Sequence, residues 1–365
     1  MRKLFYLPLE AYVERYTYLM SSVDGWAETW LKKFNVNFER IDGVKVGDRI
    51  KVGSVLDGFG RSIFAMSQVE KMLGKIKDGE IKNGDVIYTE DFWHPGIEAL
   101  FYVRDLIDID FKIGCFLHAQ SIDDSDFTYP MRRWMRDMEV GMSKGYDYIF
   151  TCSHILRAIA VEAGYDRDHI FKTGLPYNSE RLLEQLKDME FVEQKKERFV
   201  LFSSRFDTEK NPNFFLDLVE ACSDIQFKLV KPREHITDDK EVENRLNQVL
   251  KKCSNLELVD TSNKIKYYEI LSKAEIQFNC AYQDWVSWTL LEAVTFNCKP
   301  LYPNWKDFSY ELKGYDDHIY EMDNLEDCKK KLYSLLNKKF DSRLKQIAER
   351  HNGTWKEYLE VMNFV

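Results

Sequence analysis

The stretch Asp284-Trp-Val-Ser-Trp-Thr-Leu-Leu-Glu292-Ala sets two carboxylates on either side of seven residues. Its pattern predicts a loop entering a helix near Ser287, which makes the amides of Val286, Ser287, Trp288 and Thr289 first-turn donors. Such amides, reinforced by the helix dipole, suit an anion such as a diphosphate. Glu292 falls about one turn further along, where a carboxylate can accept hydrogen bonds from a ribose diol. Asp284 lies in the preceding loop, where it could hold sugar hydroxyls. A helix cap followed by a salt-bridged glutamate explains the same spacing without a ligand. A second stretch, Phe199-Val-Leu-Phe-Ser-Ser-Arg205-Phe-Asp-Thr-Glu-Lys210-Asn-Pro, ends a strand at Arg205 and sets Lys210 just before a helix. Two cations at a strand's C-terminal edge suit a pyrophosphate, the arginine by forked contacts and the lysine as a point charge. Solvated loop charges are the alternative.

The elements that must position these residues follow from the hydrophobic pattern. Short apolar runs at 3–9, 84–89, 111–117 and 147–152 read as strands, with helical patterns such as 60–76 and 130–144 between them. A helix over 153–164 is expected to end at Gly164. The rhythm restarts near 198, with strands at Phe199, Phe227, Leu256, Ile276 and Lys299 alternating with helices 211–223, 239–252, 266–273 and 288–297. Such alternation implies mostly parallel sheets covered on both faces. The polar segment 176–197 reads as a linker, and 341–363 as a long helix or helix pair. Two Rossmann-like domains joined by a linker leave a cleft between strand ends, the default site in open α/β sheets.

Composition narrows the function classes. The 365 residues exceed one ordinary core, and 44% hydrophobic with 31% charged residues excludes a disordered chain. The formal charge of −9 gives no whole-chain attraction to nucleic acid but leaves room for a local basic patch. No apolar run approaches the ~20 residues of a membrane span. The run Leu4–Leu9 is too short for a signal segment and reads as a first strand. Seven cysteines without a CxxC pair argue for a reducing compartment, hence a cytoplasmic protein without disulfides or a zinc site. Asn352-Gly353-Thr354 matches a glycosylation sequon that has little weight without a secretory signal.

Taken in order, the two chemical stretches resemble the C-terminal half of retaining GT-B glycosyltransferases, the large family that includes sucrose and glycogen synthases and many lipopolysaccharide enzymes. The family's Gly-Arg and Glu-Lys-Gly motif is matched by Ser204-Arg205 and Glu209-Lys210-Asn211. Its acidic residue, seven-residue spacer, Glu-Ala and small-residue–x-Pro strand are matched by Asp284, Glu292-Ala293 and Cys298-Lys299-Pro300. Ile149–Ser153 followed by Phe171–Pro176 is similar to its domain-closing segment, so the likeness spans roughly 145–305. Asp284 stands where the family usually has Glu, Asn211 where it has Gly, and Trp285 and Trp288 where it has smaller residues.

The resemblance implies an α/β GT-B fold, two Rossmann-like domains facing across a cleft. Residues 1–176 would form the acceptor domain, 177–340 the nucleotide-sugar domain, and 341–365 a C-terminal helix packing back towards the first domain. It implies a nucleotide-diphosphate sugar as co-substrate and no required cofactor. Arg205, Lys210 and the amides of Val286–Thr289 would neutralise the leaving diphosphate, with no metal needed, and Glu292 would bind the ribose. Asp284 and His118 are the expected catalytic-side residues, His118 ending a strand where the family often has a histidine contacting the donor sugar. A buried, satisfied histidine is the alternative there. Glu10, Arg15, Thr17 and Trp93 are candidates for the acceptor or donor loops, while His94 and the Asp108-Ile-Asp110 run read as structural.

Tyr6–Thr17 and His118–Phe127 are also similar to a branch of bacteriophage glycosyltransferases linked to sugar modification of hydroxymethylated pyrimidines in DNA. That likeness implies a DNA partner, with Arg132, Arg133, Arg136 and Lys144 on one helical stretch as its basic contact and Trp93 or Trp134 stabilising a flipped base. A solvated helix face is the alternative. Rival acceptors are a bacterial surface glycan or lipid-linked sugar. Rival activities are a GT-B-fold epimerase, for which Asp123, Asp124 and Asp126 would supply acid–base groups, and a silent sugar-binding protein.

Overall fold

The computed structural model describes residues 2–9, 27–46, 58–231, 236–237, 239–261 and 263–365. The chain divides into two compact units, Met1–Pro176 with Gly353–Val365, and Tyr177–Asn352. Each is built on a six-stranded sheet whose described pairings are all parallel.

In the first unit the strands are β1 (Lys3–Leu7), β2 (Asn37–Arg40), β3 (Val86–Thr89), β4 (Lys112–Phe116), β5 (Tyr148–Thr151) and β6 (Ile170–Lys172), in the order β2-β1-β3-β4-β5-β6. Every residue of β3 is buried, as a strand covered on both faces requires. The short strands β2 and β6 were not evident from the pattern, because three or four residues with few alternations carry almost no periodic signal. The helix after β5 spans His154–Glu162, capped by Ser153 Oγ on the amide of Leu156 at 2.8 Å. Gly164 then adopts φ +100, a left-handed turn that a side chain would strain.

In the second unit β7 (Glu197–Phe202), β8 (Gln226–Lys231), β9 (Leu256–Asp260), β10 (Ala274–Phe278), β11 (Lys299–Pro303) and β12 (Ile319–Tyr320) lie in the order β12-β11-β10-β7-β8-β9. Phe202, Phe214, Phe215, Phe278 and Tyr320 form the centre of its core. The order reverses between β7 and β10 here, and between β1 and β3 in the first unit. A parallel sheet leaves a crevice beyond its strands' C-terminal ends at such a reversal, because the flanking connections leave in opposite directions.

One expectation is corrected, and of the two readings of the C-terminal stretch the helix pair is the one found. The supposed linker contains the helix Ser179–Asp188, capped by Asn178 Oδ1 on the amide of Arg181 at 2.9 Å and burying Leu182 and Leu186 four positions apart. The C-terminal stretch is two short helices, Lys345–Asn352 in the second unit and Thr354–Val361 in the first. The latter carries Trp355 and Tyr358 into an aromatic cluster. Trp355 lies 6.0 Å from Tyr6 and 5.5 Å from Tyr88, and Tyr358 stacks 4.2 Å from Phe150.

Within the second unit, Glu311 is locked between Arg350, at 3.0 Å, and His351, at 3.2 Å. Burial pushes the Glu311 carboxyl up, but His351 and Arg350 outweigh it and hold the group down at about 2. A depressed carboxyl contributes stability in full above its ordinary range, near 4.5, and loses it as pH falls towards 2. Glu311→Gln is therefore expected to lower the neutral-pH melting temperature and to flatten the acid limb between those values, followed by circular dichroism. An unchanged acid limb would assign that limb to other carboxylates.

Candidate functional site

The reversal in the second sheet gathers the two chemical stretches. The loop leaving β7 closes with a single tight turn, Lys210 N to Asp207 O at 2.9 Å and Asn211 N to Thr208 O at 3.0 Å. Asn211 then takes the left-handed conformation, φ +53. Asparagine tolerates that region better than most residues, so it can stand where a glycine is otherwise used. Its side chain donates to Asp323 Oδ1 at 2.9 Å, and Pro212 opens the helix Pro212–Ala221. This turn sends Lys210 inward. The side chain is 10% exposed, and Nζ donates to Asp284 Oδ1 at 2.5 Å and to Gln283 Oε1 at 3.1 Å. Asp284 also accepts from Asn279 Nδ2 at 3.1 Å. Burial pushes the Asp284 carboxyl up, but the Lys210 ammonium more than offsets this and holds it below the usual carboxylate range.

Arg205 leaves the same strand but is more open, its side chain 37% exposed. It is forked between Asp207, at 3.2 Å, and Glu209, at 2.5 Å. The helix after β10 spans Trp288–Thr295, with Ser287 preceding it in extended conformation. The Ser287 hydroxyl does not cap that helix. It bonds Thr289 Oγ1 at 2.8 Å, which bonds Tyr302 Oη at 2.8 Å. Val286 and Ser287 are buried, Trp288 and Thr289 half-buried. Lys306, from the loop after β11, sits 4.1 Å over the ring of buried Trp285 and donates to Gln283 O at 3.1 Å. Glu292 is buried, and its oxygens accept from Tyr267 and Tyr268, each at 2.7 Å, with Lys264 at 3.5 Å.

No family model matches the sequence, and no curated protein matches it either. Solved structures do match, over nearly the whole chain. A sucrose-phosphate synthase from Thermosynechococcus elongatus superposes with a TM-score of 0.65 at 12% identity, covering 99% of this chain and 97% of that one. A glycosyltransferase from Rickettsia africae gives 0.62 at 13% identity over 99% and 98%. Anabaena HepE, solved with UDP and glucose, gives 0.61 at 10% identity over 100% and 97%. The fold is GT-B.

The GT-B fold contains a second reversal, in the first sheet, and it too is lined by chemistry. Asp91, just past β3, pairs with Arg61 and accepts from Gln120 Nε2 at 2.9 Å. Arg61 also donates to Trp93 O at 2.9 Å. Gln120 holds φ +73, an uncommon conformation for a residue with a side chain, next to a loop of buried polar groups. Glu90 accepts from Tyr6 Oη at 2.6 Å. His118 Nε2 lies 3.0 Å from Glu90 O. A carbonyl only accepts, so Nε2 carries the proton and Nδ1 holds the lone pair. Burial pushes the His118 imidazole below its ordinary value, which favours the neutral ring. His94 is buried and lowered to about 4 by burial and the nearby Arg61.

The half-buried Trp93 meets the exposed Trp134 edge-to-face at 6.2 Å. Arg132 and Arg133 are exposed on the helix Arg132–Gly145, Arg132 lying over Tyr129 at 4.1 Å. Arg136 departs from that face. It is half-buried and donates to Ser121 O at 2.9 Å, beside the buried Glu139 that binds the same residue. Asp123 and Asp126 are buried and accept loop amides of Ser125, at 3.0 Å, and Thr128, at 2.8 Å, while Asp124 is exposed. Asp108 and Asp110 are exposed at the N-terminal end of β4, the opposite edge of the first sheet from its own crevice, with Asp110 paired to Lys112. Glu10, Arg15 and Thr17 lie outside the described residues.

Among the described residues no group of three or more His, Cys, Asp or Glu side chains is placed to hold a metal, and no helix is long and apolar enough to cross a membrane. The cysteines are free thiols. Sequence reasoning placed Asp91 at a strand end near the acceptor site but missed its partners Arg61 and Gln120, and it missed Lys264, Tyr267, Tyr268 and Lys306. Only the Tyr267-Tyr268 pair carried a signal, two adjacent aromatic hydroxyls on one predicted helix, and nothing local tied it to Glu292.

Proposed function

We propose that this chain is a retaining glycosyltransferase that moves a hexosyl or pentosyl group from a nucleoside-diphosphate donor to an acceptor hydroxyl. The observation that carries the reading is the Lys210–Asp284 pair at the reversal of the second sheet, beside the start of the helix Trp288–Thr295. A buried cation next to a helix N-terminus meets the main electrostatic demand of the reaction, negative charge growing on the departing phosphate. Lys210 would exchange part of its contact with Asp284 for a phosphate oxygen. Arg205 would add a second, more exposed cation. Glu292 would hold the ribose, and Asp284 and the neutral His118 would bear on the transferred sugar. In a retaining reaction the diphosphate leaves and the acceptor hydroxyl attacks from the same face, its proton passing to the leaving phosphate, so no strong side-chain base is required. UDP is the first donor nucleotide to test, because Anabaena HepE has been solved with UDP and glucose.

For the acceptor, the phage-like sequence stretches favour a hydroxymethylated pyrimidine in DNA. The exposed Arg132 and Arg133 beside Trp134 are the features compatible with it. Arg132→Ala/Arg133→Ala is expected to flatten the salt dependence of DNA binding, whereas Arg136→Ala should chiefly loosen the Ser121 loop. An unaltered slope in the double variant would move the acceptor to a glycan or lipid-linked sugar.

A thermal-shift screen of nucleotide sugars followed by acceptor-dependent release of nucleoside diphosphate tests the whole reading, since a ligand that binds only the folded form raises its melting point. Conversion of the nucleotide sugar without any acceptor would favour the epimerase, and a thermal shift with no release the silent sugar-binding protein. Turnover is expected to survive EDTA, because Lys210 and Arg205 take the role of a bridging cation. Abolition by chelation with rescue by Mn²⁺ would overturn the metal-independent mechanism.

A further inference from the structure

Glu292 is assigned above to the ribose, yet most of its acceptor capacity is already taken. Tyr268 Oη donates to Oε1 at 2.7 Å, and Lys264 Nζ stands 3.5 Å from the same oxygen. Tyr267 Oη donates to Oε2 at 2.7 Å. Both phenols are buried, and burial together with the Glu292 charge pushes them above their ordinary range, so they remain donors. A carboxylate offers about four lone-pair positions. Two on Oε1 and one on Oε2 are used, which leaves one acceptor direction, on Oε2.

The clamp is also anchored. Gln277 Nε2 donates to Ser203 Oγ at 2.9 Å, and the Ser203 hydroxyl, on the Tyr267 side, offsets part of the upward push on that phenol. Ser203 begins the loop that carries Arg205 and Lys210. Lys264 lies 5.0 Å over both tyrosine rings, and the rings pack 5.1 Å apart, so neither phenol can swing away without disturbing the other.

We propose that Tyr267, Tyr268 and Lys264 are positioning residues that leave Glu292 able to grip one ribose hydroxyl rather than the 2′,3′ pair. This rests on the donor reading above, and it makes the site selective for one hydroxyl position. Isothermal titration with UDP, 2′-deoxy-UDP and 3′-deoxy-UDP tests it. In the wild type, loss of one hydroxyl is expected to weaken binding about tenfold or more, as for a hydrogen bond to a charged group, and loss of the other less than about threefold. Tyr268→Phe frees a position on Oε1. Both deoxy nucleotides should then lose affinity, and the ratio between the two losses should shrink by at least about fivefold. Lys264→Met frees the same oxygen without removing a buried ring and should shift the ratio in the same direction.

A purely structural role would lower the melting temperature of these variants and leave the ratio untouched. Equal penalties for the two hydroxyls in the wild type, or an unmoved ratio in both folded variants, would overturn the clamp while UDP still bound. Failure of UDP, GDP, ADP, CDP and TDP alike to bind would overturn the donor reading and the clamp with it.

Discussion

Lys210→Ala is expected to lower kcat/KM for the nucleotide-sugar donor by about 10²–10³-fold, the range found when one preorganised donor to developing charge is removed. The large effect follows from burial: Nζ sits against Asp284 with its side chain 10% exposed, so water cannot replace it cheaply. Two roles are combined in that lysine. It neutralises Asp284, and it is proposed to meet the diphosphate. Removing it leaves an unpaired carboxylate, which destabilises the unit by up to about 3 kcal/mol given that Asp284 retains some exposure. Asp284→Asn in the same chain removes the unpaired charge. The double variant should regain stability in urea titration and stay catalytically impaired. Recovery of turnover together with stability would reduce Lys210 to a partner of Asp284 and take it out of the donor site. Arg205→Ala should cost less, about tenfold, because its guanidinium is more open to water and already shared between Asp207 and Glu209.

The largest stability effect is expected at Trp355. Its side chain is 1% exposed and packed against Tyr6, Tyr88 and Tyr358. Tyr6 and Tyr88 belong to β1 and β3, the strands that border the first crevice. Trp355→Ala removes a buried indole that no neighbour can refill, at about 3–5 kcal/mol. Against a typical margin of about 5–15 kcal/mol, much of the first unit's stability would be lost. Urea titration should show an early transition, and Trp134→Ala, at an exposed site, should stay within about 0.5 kcal/mol of wild type. A Trp355 variant as stable as Trp134→Ala would mean that the helix Thr354–Val361 is dispensable to the first sheet.

Most of the architecture was legible in the residues. Apolar runs such as Val86–Tyr88 and Phe199–Phe202 have no alternation, as a strand covered on both faces requires, and their shortness and flanking polar residues favour strand over buried helix. The helix start at Ser287 could also be read, since a serine ahead of an apolar 3.6-residue period marks the change from loop to helix. The same local logic failed where elements are short or mixed. β2 carries one large apolar residue in four positions, and the polar stretch around Ser179–Asp188 hides a buried stripe of two leucines.

The amino-acid sequence by itself determined the two α/β units, the carboxylates and cations that end strands, and the turn residues around them. These are local properties, set by backbone preference and by which side of an element meets water. Partnership was decided only by the tertiary structure. Strand order alone lays the loops after β7 and β10 side by side, so Lys210 meets Asp284 across 74 positions. Packing alone brings Tyr267 and Tyr268 onto Glu292, turns Arg136 towards Ser121, and closes Arg61 on Asp91. A periodic pattern reports the environment a side chain needs; a parallel sheet, whose neighbours are far apart along the chain, chooses which side chain supplies it.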